Sequence, residues 1–159
     1  MRNFFKKQNS AQNCLEFTAV FVLVLIIFIA IIEISLYWRV RFCTQNIANE
    51  IVANAQIVAQ STTNRTEVLT SVENILTARQ GLLNVPNKGY KTANMGSDKV
   101  IISSVFLKDG TNALSAQVEF DSPDISSFSV QLTYHHSGIF LYQGGVDINS
   151  SEVHSVSRF

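Results

Sequence analysis

Residues 15–38 read LEFTAVFVLVLIIFIAIIEISLYW, and from Phe17 to Ile32 the only polar side chain is Thr18. An apolar run of this length is what a helix needs to cross roughly 30 Å of hydrocarbon. The sequence therefore predicts a membrane span. A carboxylate stands at each edge of it, Glu16 and Glu33. Seventeen positions of helix put them roughly 25 Å apart along the axis, so each lies near one membrane face. Ionisable groups at such depths are costly and usually have a partner or a purpose.

The flanks fit a retained span. Arg2, Lys6 and Lys7 precede it and Arg39 and Arg41 follow it, which puts the N-terminus in the cytoplasm by a small margin. Tyr37 and Trp38 suit the opposite interface, where amphipathic rings settle at headgroup level. A cleaved signal peptide has a shorter apolar core with a small-x-small site close behind it, and here Ala53-Asn54-Ala55 comes too late. A lipoprotein cysteine follows its apolar run, whereas Cys14 precedes this one. Cys14 and Cys43 are read as small apolar fillers, and the helix between them holds them too far apart to bridge.

Past the span, RVRFCTQNIANEIVANAQIVAQ (39–60) changes character without a helix breaker. Ile47, Ala48, Ile51, Val52, Ala55, Val58 and Ala59 follow one helical face, with Gln45, Asn49, Glu50, Asn54 and Gln56 elsewhere. Neither Gly nor Pro occurs in the first 80 residues, although 7 Gly and 2 Pro occur later. One continuous helix over about 13–60 is expected, membrane-buried first and amphipathic afterwards.

Asn64 and Glu67 resemble a capping box, and Val68, Leu69, Val72, Ile75 and Leu76 repeat at helical spacing up to Gly81. A second helix over about 65–80, stopped by Gly81, is expected. The stretch LNVPNKGYKTANMGSD (83–98) reads as a loop. Strands are expected at Lys99–Lys108, Ala113–Phe120, Phe128–His135 and Ile139–Gln143, forming an antiparallel meander that the amphipathic stripe and second helix cover. The polar tail 147–159 reads as loose. The fold class is thus membrane-anchored α+β: a leader 1–11, a span 12–38, an amphipathic continuation 39–60, a head 61–146 and a tail.

At 159 residues the chain has room for one modest head besides the helix. Lys plus Arg and Asp plus Glu balance at 12 each, and the residues after 60 are slightly acidic, which argues against nucleic-acid binding. No catalytic set, cofactor site or metal site is read. His135 and His136 are neighbours that a strand points to opposite faces, and His154 lies in the tail. No GxSxG or SxxK surrounds a serine. Asp121 and Asp124 flank Pro123 as turn formers.

A basic leader, a Glu entering an apolar helix, an amphipathic continuation and a small sheet are the plan of the type IV pilin superfamily. More narrowly, LEFTAVFVLVLIIFIAIIEISLYWRVRFCTQNIANEIVANA resembles the N-terminal region of TadE-like and TadF-like minor pseudopilins of tight-adherence pili. The residues that carry the likeness are the acidic-aromatic pair Glu16-Phe17, the second acid Glu33 within IIEIS, and the Ala- and Asn-rich helix behind them, within about residues 8–58. The resemblance implies an accessory subunit in pilus assembly, anchored in the bacterial inner membrane with its head outside the cytoplasm. Its implied partners are membrane lipid, a prepilin peptidase, other pseudopilins and the inner-membrane platform. The peptidase cut falls between Ala11 and Gln12, which makes Glu16 the fifth mature residue. Ala11 stands where the family usually has Gly, and the Pro common early in the family's span is missing.

In such assemblies the glutamate pairs with the terminal amine of a neighbouring subunit, and pairing offsets the desolvation of both charges. For Glu16 two readings stand, this pairing and plain residence in the headgroup layer. For Glu33, about 100° around the helix from Glu16, two also stand: contact with another component's basic residue, and snorkelling beside Tyr37 and Arg39. The alternative to a pilus subunit is a tethered extracytoplasmic binding or sensory domain.

Overall fold

The computed structural model describes residues 2–86, 89–104, 112–121, 125–136 and 145–155. Helix α1 spans Arg2–Ser61, and the chain divides into two compact units, Met1–Tyr37 and Trp38–Phe159. With no Gly or Pro to interrupt it, α1 starts eleven residues earlier than the expected 13 and takes in the basic leader.

The first unit is apolar helix. Its large side chains from Leu15 to Ile34 are exposed, Phe17 at 72% and Ile26 at 60%, except Ile29, which is half-exposed, so nothing else in the unit covers them. This is one helix long and apolar enough to cross a membrane, a test that a signal helix also passes.

The second unit is the head, and it takes in the last part of α1. It begins at Trp38. The physical reason is the stripe: Ile47, Ala48, Ile51, Val52, Ala55 and Ala59 are all buried, and only Val58 of the expected face stays half-exposed. α1 ends where hydroxyls begin to compete for its backbone, Ser61 Oγ donating to Val58 O at 2.9 Å.

Helix α2 (Arg65–Arg79) buries Val68, Val72 and Leu76. Asn64 caps it by accepting from Thr66 N–H at 3.0 Å. Arg65 in the first turn is unfavourable to the helix dipole. It is held by Asp98, Nη2 to Oδ1 2.9 Å, and its guanidinium lies 5.0 Å from the Phe120 ring centre. At the other end α2 stops at Arg79, within a residue of the expected 80, but Gly81 is not what closes it. The chain continues as a 3-10 turn, Gln80–Leu83, and ends at Asn84, whose φ of 53° is left-handed. Val85 N–H reaches Gln80 O and Asn84 N–H reaches Gly81 O, a Schellman-type closure that Asn tolerates nearly as well as Gly.

The sheet comprises β1 (Tyr90–Asn94), β2 (Lys99–Ser104), β3 (Ala113–Phe120), β4 (Phe128–His136), β5 (Val146–Asn149) and β6 (Val153–His154). Its order is β1-β2-β3-β4-β5, all antiparallel, with β6 also on β4. The meander is as expected, and β3 and β4 fall within a residue of their expected bounds. Two expectations are overturned. The stretch read as a loop contains β1, whose side chains YKTAN are too polar to show period two. The tail read as loose carries β5 and β6, of which only Ile148 is buried. The expected strand Ile139–Gln143, and the part of β2 expected beyond Ser104, lie outside the described residues.

Register builds one apolar face. Val100, Val118 and Val130 stand in one cross-strand row, Ile102, Ala116 and Leu132 in the next, then Leu114, Tyr134 and Ile148. All are buried. The opposite face carries Ser115, Gln117, Gln131 and Thr133, half-exposed and polar. Two tyrosine hydroxyls tie the apolar face to the end of α2. Tyr134 Oη donates to Leu83 O at 2.9 Å and Tyr90 Oη to Leu76 O at 3.4 Å. Burial pushes the Tyr134 phenol up to about 12, with Cys43 second, and pushes Tyr90 to about 12, with the charge of Glu73 second. α1 and α2 are joined by the bidentate contact of Arg79 on Glu50, Nη2–Oε1 2.7 Å and Nε–Oε2 2.9 Å. The hydrogen bond from Arg79 holds the Glu50 carboxyl below its usual range.

Candidate assembly helix

The residues singled out by the sequence lie on the first unit of α1. The Ala11–Gln12 bond is inside the helix, with no break on either side. Gln12 and Glu16 stand one turn apart, and the Gln12 side-chain amide donates to Glu16 Oε1 at 3.2 Å. Phe17 and Phe21 stack one turn apart at 6.4 Å between ring centres. The acidic-aromatic pair therefore presents a carboxylate and an exposed ring side by side.

Other polar groups of the span are satisfied within the helix. Thr18 Oγ1 donates to Cys14 O and Ser35 Oγ to Ile31 O, each at 2.8 Å. Such back-bonding lets a hydroxyl sit in hydrocarbon without an outside partner. Glu33 is half-exposed, and its Oε2 is shielded from solvent. Just beyond, Trp38 and Phe42 pair at 5.9 Å and Arg41 lies 5.7 Å from the Trp38 ring centre, an arrangement suited to a headgroup layer.

Chemistry elsewhere is sparse. Among the described residues no three His, Cys, Asp or Glu side chains cluster as metal ligands. His135 contacts Asp147 at 2.7 Å on the polar face of the sheet. His136, from the opposite face, stacks on Tyr134 at 5.9 Å. Gly145 approaches His135 so closely that an added Cβ would lie 2.5 Å from its Nε2, and its φ of 78° independently favours glycine. Cys14 and Cys43 are free. Burial raises the Cys43 thiol against the pull of Arg39, the reverse of what activates a thiolate. The Asn64 side chain, in an Asn-Arg-Thr sequon, is committed to its helix cap.

The residues that sequence reasoning missed are those of the open cavity between α2 and β1, of about 500 Å³, lined by Thr66, Leu69, Thr70, Glu73, Thr92 and Asn94 among others. The only available signal was the Gly89 and Gly96 pair, both with positive φ, which bracket β1. No family model matches the chain, and no curated protein or solved structure matches it either.

Proposed function

We propose that the protein is an accessory pilin-like subunit of a tight-adherence type pilus, held in the inner membrane by residues 12–38 with its head outside the cytoplasm. The reading rests on one observation: Glu16 lies one turn from Gln12 at the entry of a helix whose apolar side chains find no cover in their own unit. Cleavage between Ala11 and Gln12 by a prepilin peptidase creates an amine one turn from Glu16. The same pair on adjacent subunits is then complementary. An unpaired carboxylate in hydrocarbon is disfavoured by about 3–5 kcal/mol relative to a paired one, so only subunits in the right axial register stay packed. Large side chains and the lack of GxxxG argue against tight backbone dimerisation, which leaves charge register to set the packing. The partners are other pseudopilins and the membrane platform.

Two measurements test this together. Intact mass of the protein from native membranes is expected to show loss of the first eleven residues. Glu16→Ala is expected to abolish fibre assembly with head stability unchanged. An uncut Met1 together with normal assembly of Glu16→Ala leaves only a tethered head, the binding or sensory alternative.

A further inference from the structure

Strand β1 ends the sheet, and among the described residues no strand pairs with its outer edge. The ladder to β2 decides which backbone groups that edge offers. Met95 N–H donates to Lys99 O at 2.9 Å, and Asn94 stands opposite Val100. Hydrogen-bonded and non-hydrogen-bonded pairs alternate in an antiparallel ladder. Lys91 and Ala93 therefore turn their N–H and C=O toward β2, and Tyr90, Thr92 and Asn94 turn theirs outward. Lys91 through Asn94 are all exposed. Natural sheets usually blunt such an edge with a short strand, a charge (above all Lys), Pro or a bulge, and β1 has five residues and one Lys but no Pro. Here the single charge, Lys91, stands on the face away from α2, as its register with Ser103 requires.

The outward groups coincide with a shaped surface. The side chains of Thr92 and Asn94 form one wall of the 500 Å³ cavity, and Leu69 and Glu73 of α2 stand on the other. A strand added to β1 would place every second side chain in that cavity. Glu73 is half-exposed and makes no ion pair among the described residues. Its charge is felt by Tyr90, as the second cause of that phenol's upward shift.

We propose that β1 is a strand-acceptor edge, taking an extended segment of another protein that carries Lys or Arg toward Glu73 and an apolar side chain toward Leu69. A second copy of this chain fits less well. Self-pairing centred on Thr92 sets Tyr90 against Asn94 and leaves Lys91 on the face away from Glu73, so no cation arrives. It also brings the two Glu73 carboxylates to the same face of the joined sheet. The inference stands apart from the pilus reading, since it concerns only the head.

The test uses the full chain, isotope-labelled in detergent micelles, and the end-blocked peptide Thr-Val-Thr-Lys-Thr-Val-Thr, whose Val and Lys side chains share one face. Saturable binding is expected, with amide shifts larger at Thr92 and Asn94 than at Lys91 and Ala93. Replacing the peptide's Lys by Glu is expected to weaken binding about tenfold, and Glu73→Lys to reverse that preference. Thr92→Pro removes an outward N–H while sparing the β1–β2 ladder, and is expected to abolish binding. Absence of binding at millimolar peptide, or shifts confined to other strands, overturns the proposal. So does undiminished binding by Thr92→Pro. Self-association that Thr92→Pro abolishes overturns the choice of occupant. If that variant loses its folded amide spectrum, the shift map of the unaltered chain decides.

Discussion

Tyr134 shows how much one side chain does in this head. It is 1% exposed, its ring lies in a row with Leu114 and Ile148, and its hydroxyl satisfies the Leu83 carbonyl at the end of the 3-10 turn. Both Tyr134 and Tyr90 keep their protons to about pH 12, whereas an unfolded tyrosine loses its proton near 10. Between those values the unfolded chain binds fewer protons than the folded one, so stability falls as pH rises through the window. Urea melts at pH 9 to 12 are expected to show this decline. Tyr134→Phe is expected to roughly halve it, since Tyr90 remains, and, at neutral pH, to cost about 1 kcal/mol, because Leu83 O keeps only the 3.5 Å contact from Asn112 Nδ2. A decline unchanged in Tyr134→Phe would refute the assignment. Glu50 works in the opposite sense, its contribution present above the ordinary carboxylate range and lost on acidification.

At the scale of elements, α2 depends on its ends. It is a short helix of 15 residues with Arg65 placed against its dipole, so the Asn64 cap and the Asp98 contact compensate for a weak start. Asn64→Ala is expected to cost about 0.5–2 kcal/mol in urea denaturation, and Asn64→Gly only a few tenths. Equal losses for the two variants would mean that only the side-chain oxygen matters, and not the solvation and backbone freedom that Gly restores at the cap. The cap was legible because Asn followed by Glu three residues on is a local signal, as was the stripe from Ile47 to Ala59. The stop was not. Asn84 closes the helix through backbone bonds to Gln80 and Gly81, and Gly81 was the more conspicuous choice. β1, β5 and β6 escaped for a related reason: short polar strands are strands because a neighbour's ladder completes them, and single-sequence periodicity does not register the neighbour. Of the candidate site, the two acids were visible in the sequence as charges in an apolar run, but the Glu73 cavity, made by residues far apart in the chain, was not.

For the whole molecule, the division at Trp38 assigns different physics to two stretches of one helix. Before it, apolar side chains meet no partner within their unit, and after it Ile47, Ala48, Ile51, Val52, Ala55 and Ala59 are packed at 0–5% exposure, with Phe42 and Ile57 left outside. The head itself is assembled from two kinds of contact. Strands β1 to β5 pair with their neighbours in sequence, so the sheet is made of local hairpins. By contrast, Gln45 Oε1 accepts from Ser151 N–H at 2.7 Å across 106 positions of chain. Ordering so long a loop is entropically slower to repay than zipping a hairpin. The consequence is an expected sequence of events in time, with the meander as the nucleus and docking of residues 44–59 beneath it after the barrier. Stopped-flow measurements in micelles are expected to find that Val118→Ala chiefly slows refolding, while Ile51→Val chiefly hastens unfolding. The reverse pattern would make the helix, not the hairpins, the seed from which the head grows.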